Sequence, residues 1–193
     1  QYILQRINAH VFPTPQHIAD NLRLLAGYLP KTAPDYLFAA PLPADNGQYM
    51  INIDGDDYRL LPFIASSHTV DFLTESGQAY EAARQFGKFT SLFKGFDTGR
   101  LKYPLTDFHN LDLRRTQFHK ALNKAKAERV VKAKAEIDAV EANAGITDTY
   151  NSLWRNNLTL RGRHQDSKIS NVLFDADNKG RCVIDLDTVM PCY

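Results

Sequence analysis

The sequence predicts an α+β fold of two lobes, and three observations carry the prediction. Residues 1–65 read as strands around a single helix. From Ser66 the apolar spacing turns helical, and after Leu160 it returns to short strands joined by polar turns. The first lobe is therefore set at 1–65 (strand, helix, antiparallel strands), and a mostly helical second lobe at 66–193.

In chain order, Gln1 to Asn8 alternates apolar and polar side chains, with β-branched Ile3 and Ile7, as a strand does. Thr14 is placed as an N-cap with Pro15 at the first helical position, and Ile18, Leu22, Leu25 and Leu29 follow at helical spacing. Gly27 and Pro30 are expected to end that helix. Tyr36–Ala40, Gln48–Ile53 and Tyr58–Ile64 read as three strands, the last two joined by a tight turn at Asp54-Gly55-Asp56. Thr69–Leu73 is expected as a short helix. Gln78–Phe93 is a longer one, with Tyr80, Ala83, Phe86, Phe89 and Phe93 on one stripe. A third helix is expected as one rod from Leu113 to Asn143, rich in Ala, Lys and Glu. Val183–Met190 has a buried-strand pattern broken by two acids.

Composition narrows the function. With 23 Lys+Arg against 22 Asp+Glu the formal net charge is +1, which excludes a generally basic nucleic-acid binder. Eight basic residues do gather in 111–135, but Leu122, Val130, Ile137 and Val140 give that stretch an apolar face, so it reads as a solvated helix and not as a nucleic-acid site. Two cysteines, Cys182 and Cys192, form neither a disulfide framework nor a zinc spacing; they point to a reducing, cytoplasmic setting. No apolar run approaches the roughly 20 residues of a membrane span.

The chemistry concentrates between Leu160 and Asp187. Asp166 stands five positions before Asn171, directly ahead of the apolar Val172-Leu173-Phe174. A polar turn over 175–180 then leads into Cys182-Val183-Ile184, which ends on Asp185. Phosphoryl transfer needs such a set, because its loose transition state is helped by aligning the acceptor oxygen and neutralising phosphate charge. Asp166 would accept or orient the acceptor's proton. Asn171 and Asp185 would offer oxygen ligands to magnesium, a hard cation. Lys168 would reach the transferring phosphate as a point charge, and His164 would brace the loop. Taken one at a time, Asp166 also reads as a helix cap, Asn171 as a turn residue, and Asp185 with Asp187 as a solvated strand end.

His164-x-Asp166 with Asn171, followed by an apolar strand ending on Asp185, has the general form of the kinase catalytic loop and its metal-binding Asp. In a kinase-like first lobe, Arg6 is the candidate cation for the nucleotide phosphates. Asp20 is the only acid of the first helix able to hold it, since no Glu precedes Glu75. Pro62-Phe63-Ile64 falls where the lobes join, and its backbone would hydrogen-bond an adenine.

On these residues the sequence resembles the aminoglycoside phosphotransferase and choline kinase superfamily, and within it the N-acetylhexosamine 1-kinases. The segments that carry the resemblance are Tyr2–Asn8 with His10-Val11-Phe12, Tyr58–Ile64, Phe108-His109-Asn110, Lys168–Phe174 and Val183–Pro191. The resemblance implies a protein-kinase-like two-lobe fold, ATP and Mg2+ as cofactors, and transfer of the γ-phosphate to the anomeric hydroxyl of N-acetylglucosamine or N-acetylgalactosamine. His109, Asn110 and Asp187 become candidate substrate contacts. Another small alcohol as acceptor (an aminoglycoside, choline or homoserine) and a degenerate, non-catalytic module are the alternatives. Family members carry a glycine-rich loop before the first strand and further helices after the metal Asp, so the 193 residues are expected to be a fragment lacking both.

Overall fold

The computed structural model of the chain describes residues 1–153 and 158–193 with their side chains, and residues 154–157 as helical backbone. It divides into two compact units, Gln1–Leu105 with Leu160–Cys192, and Thr106–Thr159 with Tyr193. The expected 65/66 boundary falls inside the first unit.

The first unit opens with β1 (Tyr2–Arg6), and Ile7 just beyond it is buried. Helix α1 spans Gln16–Thr32. Its start lies one residue later than expected, without a side-chain cap; Thr14 offers only its carbonyl, to the His17 amide. Pro30 does not stop it. A proline removes one helical hydrogen bond, but this one sits in the last turn, where the Ala33 amide still closes on the Leu29 carbonyl at 2.7 Å. Ile18, Leu22, Leu25 and Leu29 form the buried stripe that the spacing predicts.

Tyr36–Ala40 is not a strand. Tyr36 is buried in the core without a ladder partner, and the Ala40 amide turns back onto the Phe38 carbonyl. Pairing resumes with the short β2 (Ile51–Ile53) and with β3 (Asp56–Pro62), giving a three-stranded antiparallel sheet of order β1-β3-β2. Ile53 faces Asp56 across Asp54 (φ 53) and Gly55 (φ 91), the two left-handed residues a two-residue hairpin turn requires.

Thr69–Leu73 forms no helix, and Phe72 is 84% exposed. Helix α2 covers Ser76–Leu92. Its buried face is Gln78, Glu81, Ala82, Gln85 and Phe89; Tyr80 and Ala83, expected on that stripe, are exposed. The stripe is rotated because α2 packs polar groups against a later hairpin, β5 (Val172–Phe174) and β6 (Gly180–Val183). There Glu81 Oε2 accepts from the Gly180 amide at 3.0 Å and Gln85 Nε2 donates to the Gly180 carbonyl. Ahead of the hairpin, β4 (Arg161–Arg163) pairs antiparallel with β7 (Met190–Cys192). Val183–Met190 is therefore not one strand: it breaks at Asp185 into a 3-10 turn over Leu186–Thr188.

Among the described residues, two apolar clusters hold these pieces, a smaller one of Ala82, Val172 and Phe174 and a larger one around α1. The α1 stripe packs with Phe89, Phe93, Phe96, Val183, Leu186 and Val189. Buried among them, Asn21 of α1 donates to the carbonyls of Lys102 and Val189 at 2.9 Å each and accepts from the Lys102 amide at 2.7 Å. Both cysteines are free thiols, and burial pushes that of Cys182 up to about 11.

The second unit is helical: α3 (Leu111–Lys124), α4 (Ala127–Lys132), α5 (Lys134–Ala142) and α6 (Gly145–Asn157). The single rod expected over Leu113–Asn143 is thus three helices. No residue from 111 to 142 is buried, so no core stripe imposes a common axis. Its lysines make surface pairs, Lys132 with Glu128 at 2.9 Å and Lys134 with Asp138 at 2.8 Å. Among the described residues, no helix is long and apolar enough to cross a membrane.

Candidate active site

The loop between β4 and β5 carries the side chains singled out above. His164 is buried, edge-on to Phe86 and Phe89 with ring centroids 5.3 and 6.0 Å away. Its Nε2 donates to the Ile184 carbonyl at 2.7 Å, and its Nδ1 accepts the Asp166 amide at 3.3 Å. That assignment is the neutral ring. Burial lowers its pKa, only partly offset by the Ile184 bond and by the charge of Asp185. Thr188 Oγ1 donates to the His164 carbonyl, closing the loop onto the 186–188 turn.

Asp166 and Asn171 meet directly. Asn171 Nδ2 donates to the Asp166 carbonyl at 3.0 Å and to Asp166 Oδ2 at 3.1 Å. Lys168 Nζ lies 3.0 Å from the same Oδ2. Desolvation raises the Asp166 pKa, but the Lys168 ammonium and the Asn171 amide outweigh it and hold the carboxyl below its usual value. Lys168 is raised in turn, first by its bond to Asp166, with the Asp185 charge adding in the same direction. The Asn171 carbonyl accepts the Ile184 amide at 2.9 Å. Both Asn171 and His164 therefore grip the residue before Asp185.

Asp185 is exposed, with φ 58 and ψ 55. With its amide nitrogen spent on Asp166, Asn171 keeps its side-chain oxygen for another partner. One amide oxygen and one exposed carboxylate suit magnesium, which takes one or two carboxylates and completes its shell with water and phosphate oxygens. Among the described residues, no three His, Cys, Asp or Glu side chains gather as a metal cluster.

A cleft of about 580 Å³ runs alongside, lined by Ile3, Gln5, Arg59, Leu61, Pro62, Phe63, Ile64, Leu173, Ile184 and Asp185, among others. It brings the Pro62–Ile64 segment and Asp185 to one cavity. In the sheet Ile3 faces Leu61 and Gln5 faces Arg59, and these four line the cleft together with Leu4 and Pro62.

Arg6 does not line the cleft. It ion-pairs with Asp56 at 3.1 Å, while Asp20 accepts from Gln16 within α1. The expected Arg6–Asp20 pair is not formed: Arg6 is engaged by Asp56 of the facing strand and Asp20 by Gln16 of its own helix. The cation that sequence reasoning missed is Arg59, 4% exposed and ion-paired with buried Asp187. The signal was its parity with Leu61 and Phe63. His109 and Asn110 lie in the second unit; His109 stacks beside Phe108, and Asn110 caps α3 by accepting the Leu113 amide at 3.0 Å.

Residues 1–191 match the model of the phosphotransferase enzyme family (APH). The chain belongs to that family. The fold of this phosphotransferase-family chain is also that of solved aminoglycoside phosphotransferases, which is kinase-like. It is similar to an aminoglycoside phosphotransferase from Alicyclobacillus acidocaldarius subsp. acidocaldarius DSM 446, with TM-score 0.66, 14% identity, and coverage of 99% of this chain and 57% of that one. It is also similar to spectinomycin phosphotransferase APH(9)-Ia. In that protein's complex with ADP and spectinomycin the TM-score is 0.63, the identity 15% and the coverage 98% and 57%. In its AMP-bound complex they are 0.58, 14%, and 100% and 60%. The chain spans less than two thirds of the length of these structures.

Proposed function

We propose that the protein is an ATP- and magnesium-dependent phosphotransferase that moves the γ-phosphoryl group to a hydroxyl of a small molecule. We further propose that the acceptor is the anomeric hydroxyl of an N-acetylhexosamine. The observation that carries the reading is the Asp166–Asn171 pair, with Lys168 beside it and Asp185 one residue past Ile184, on a cleft that also holds Pro62–Ile64.

In this reading the first-lobe segment 1–65 supplies the apolar nucleotide wall, with the backbone of Pro62–Ile64 meeting the adenine. Asn171 and Asp185 hold the cation, which when bound neutralises charge on the phosphates. Asp166 remains ionised at neutral pH because Lys168 and Asn171 stabilise its charge, so it orients and accepts the acceptor's proton. Lys168 reaches the transferring group. His164 positions Asp166 and Ile184 without touching substrate. Arg6 and Asp20 support the sheet and α1 from outside the cleft, and His109 and Asn110 are assigned to the acceptor side. The hexosamine assignment is supported by the sequence segments of that kinase type; spectinomycin, the ligand of one neighbour, is the competing acceptor.

The test is a coupled ADP-release assay on the full protein with N-acetylglucosamine, N-acetylgalactosamine, spectinomycin, choline and homoserine. We expect release with the hexosamines, and Asp166→Asn to lower it by about 10²–10⁴-fold while nucleotide affinity by calorimetry holds. Release with spectinomycin alone reassigns the acceptor. Nucleotide binding without release by any acceptor overturns the transferase reading in favour of a non-catalytic module.

A further inference from the structure

Asp185 has a backbone that an L-residue seldom adopts, φ 58 and ψ 55. Such a conformation persists only where the surroundings over-determine it. On its N-terminal side the anchors are His164 and Asn171, both bonded to Ile184. On its C-terminal side they are Thr188, bonded to the His164 carbonyl, and Asp187.

Asp187 is the informative one. It is 6% exposed, two residues past Asp185, and its carboxylate meets Nη2 of Arg59. Arg59 is itself fixed from β1, where Gln5 Oε1 accepts its Nε at 3.0 Å and its Nη2 at 2.7 Å. The line Gln5–Arg59–Asp187 thus joins the sheet that runs to Pro62 with the turn that begins at Asp185. A buried carboxylate that loses its cation is strongly destabilised, so removing Arg59 would leave the Asp187 end of this turn without the partner that offsets its burial.

We propose that Arg59 is a positioning residue: by holding Asp187 it fixes the turn that presents the Asp185 carboxylate to a divalent cation carried by the nucleotide. Arg59 touches neither the cation nor the transferring group, and the inference rests on the phosphotransferase reading. It also gives Asp187 a supporting place behind the metal ligand, not one against the acceptor.

The experiment is calorimetry of ADP binding to the full chain, in EDTA and in Mg2+, for the wild type, Arg59→Met, Arg59→Lys and Asp187→Asn. For the wild type Mg2+ should tighten binding. In Arg59→Met that gain should shrink by about 10–100-fold, the range for losing a group that orients a metal ligand, over and above any loss of affinity measured in EDTA. Arg59→Lys should recover part of it, since an ammonium keeps the charge and loses the fork. A folded Arg59→Met with the wild-type gain overturns the proposal, as does an equal loss in EDTA and Mg2+, the mark of a merely structural pair. If Arg59→Met does not fold, Arg59→Lys and Asp187→Asn decide: a reduced gain in both supports the proposal, and a wild-type gain in both overturns it. If the wild type binds ADP with no gain from Mg2+, the phosphotransferase reading fails first and this inference falls with it.

Discussion

Asp166 is shared between two donors, and the balance between them sets where it titrates. Lys168 Nζ and Asn171 Nδ2 both approach Oδ2, at 3.0 and 3.1 Å. They hold the carboxyl below its usual value against the desolvation that would raise it. Replacing Lys168 by Met removes the stronger of the two and leaves desolvation in place, so the Asp166 pKa must rise. The acid limb of the pH profile of kcat/KM reports the free enzyme's base. It should therefore move to higher pH in Lys168→Met. A limb that does not move would show that Asp166 is not the group being titrated.

At the scale of elements, the join between α2 and the β5–β6 hairpin is the most sensitive to a single methyl group. A Cβ on Gly180 would stand 2.6 Å from Gln85 Cγ and 3.2 Å from the Glu81 carbonyl oxygen. Gly180→Ala must push α2 away from the strand leading to Asp185, and overpacking of this kind costs about 1–3 kcal/mol; urea unfolding would measure it. Gly55→Ala, in open space but at φ 91, should cost less, about 1 kcal/mol, through backbone strain alone. The hairpin at Asp54-Gly55 was legible because its signal is local: two residues that tolerate left-handed backbone between alternating strands. The loop from His164 to Asn171 was legible for the same reason, since its residues bond to one another. Three of the features that escaped show why. Tyr36–Ala40 has a strand's composition, but only Tyr36 is buried and the segment makes no ladder, with Leu37 left exposed. The 111–142 stretch has strong helix formers throughout, and propensity does not say where a helix without a buried face will break. Arg59 found its partner across 128 positions, and no local pattern announces an ion pair between a strand and a distant turn.

For the molecule as a whole, acid stability depends on buried His164. Burial lowers its pKa in the folded chain below the unfolded value of about 6.5. Below that pH the unfolded chain binds the extra proton and the folded chain does not, so stability falls as the pH drops. Asp187, whose pKa burial raises, works in the opposite sense, so the comparison must be made against a histidine variant. His164→Asn should unfold at lower urea at pH 8, by about 1–3 kcal/mol for the unpaired Ile184 carbonyl. Its urea midpoint should then decline less than that of the wild type between pH 8 and pH 5.5. Equal declines would place the acid sensitivity elsewhere. Asn21 sets a different kind of limit. One amide side chain fastens helix α1 at once to Lys102 and to Val189, four residues past Asp185. Sliding α1 by a single residue, about 1.5 Å along its axis, would break all three bonds inside a dry core. Helix α1 is therefore held in one axial register against the segment that follows Asp185, and a shift along its axis is closed to it without loss of all three bonds.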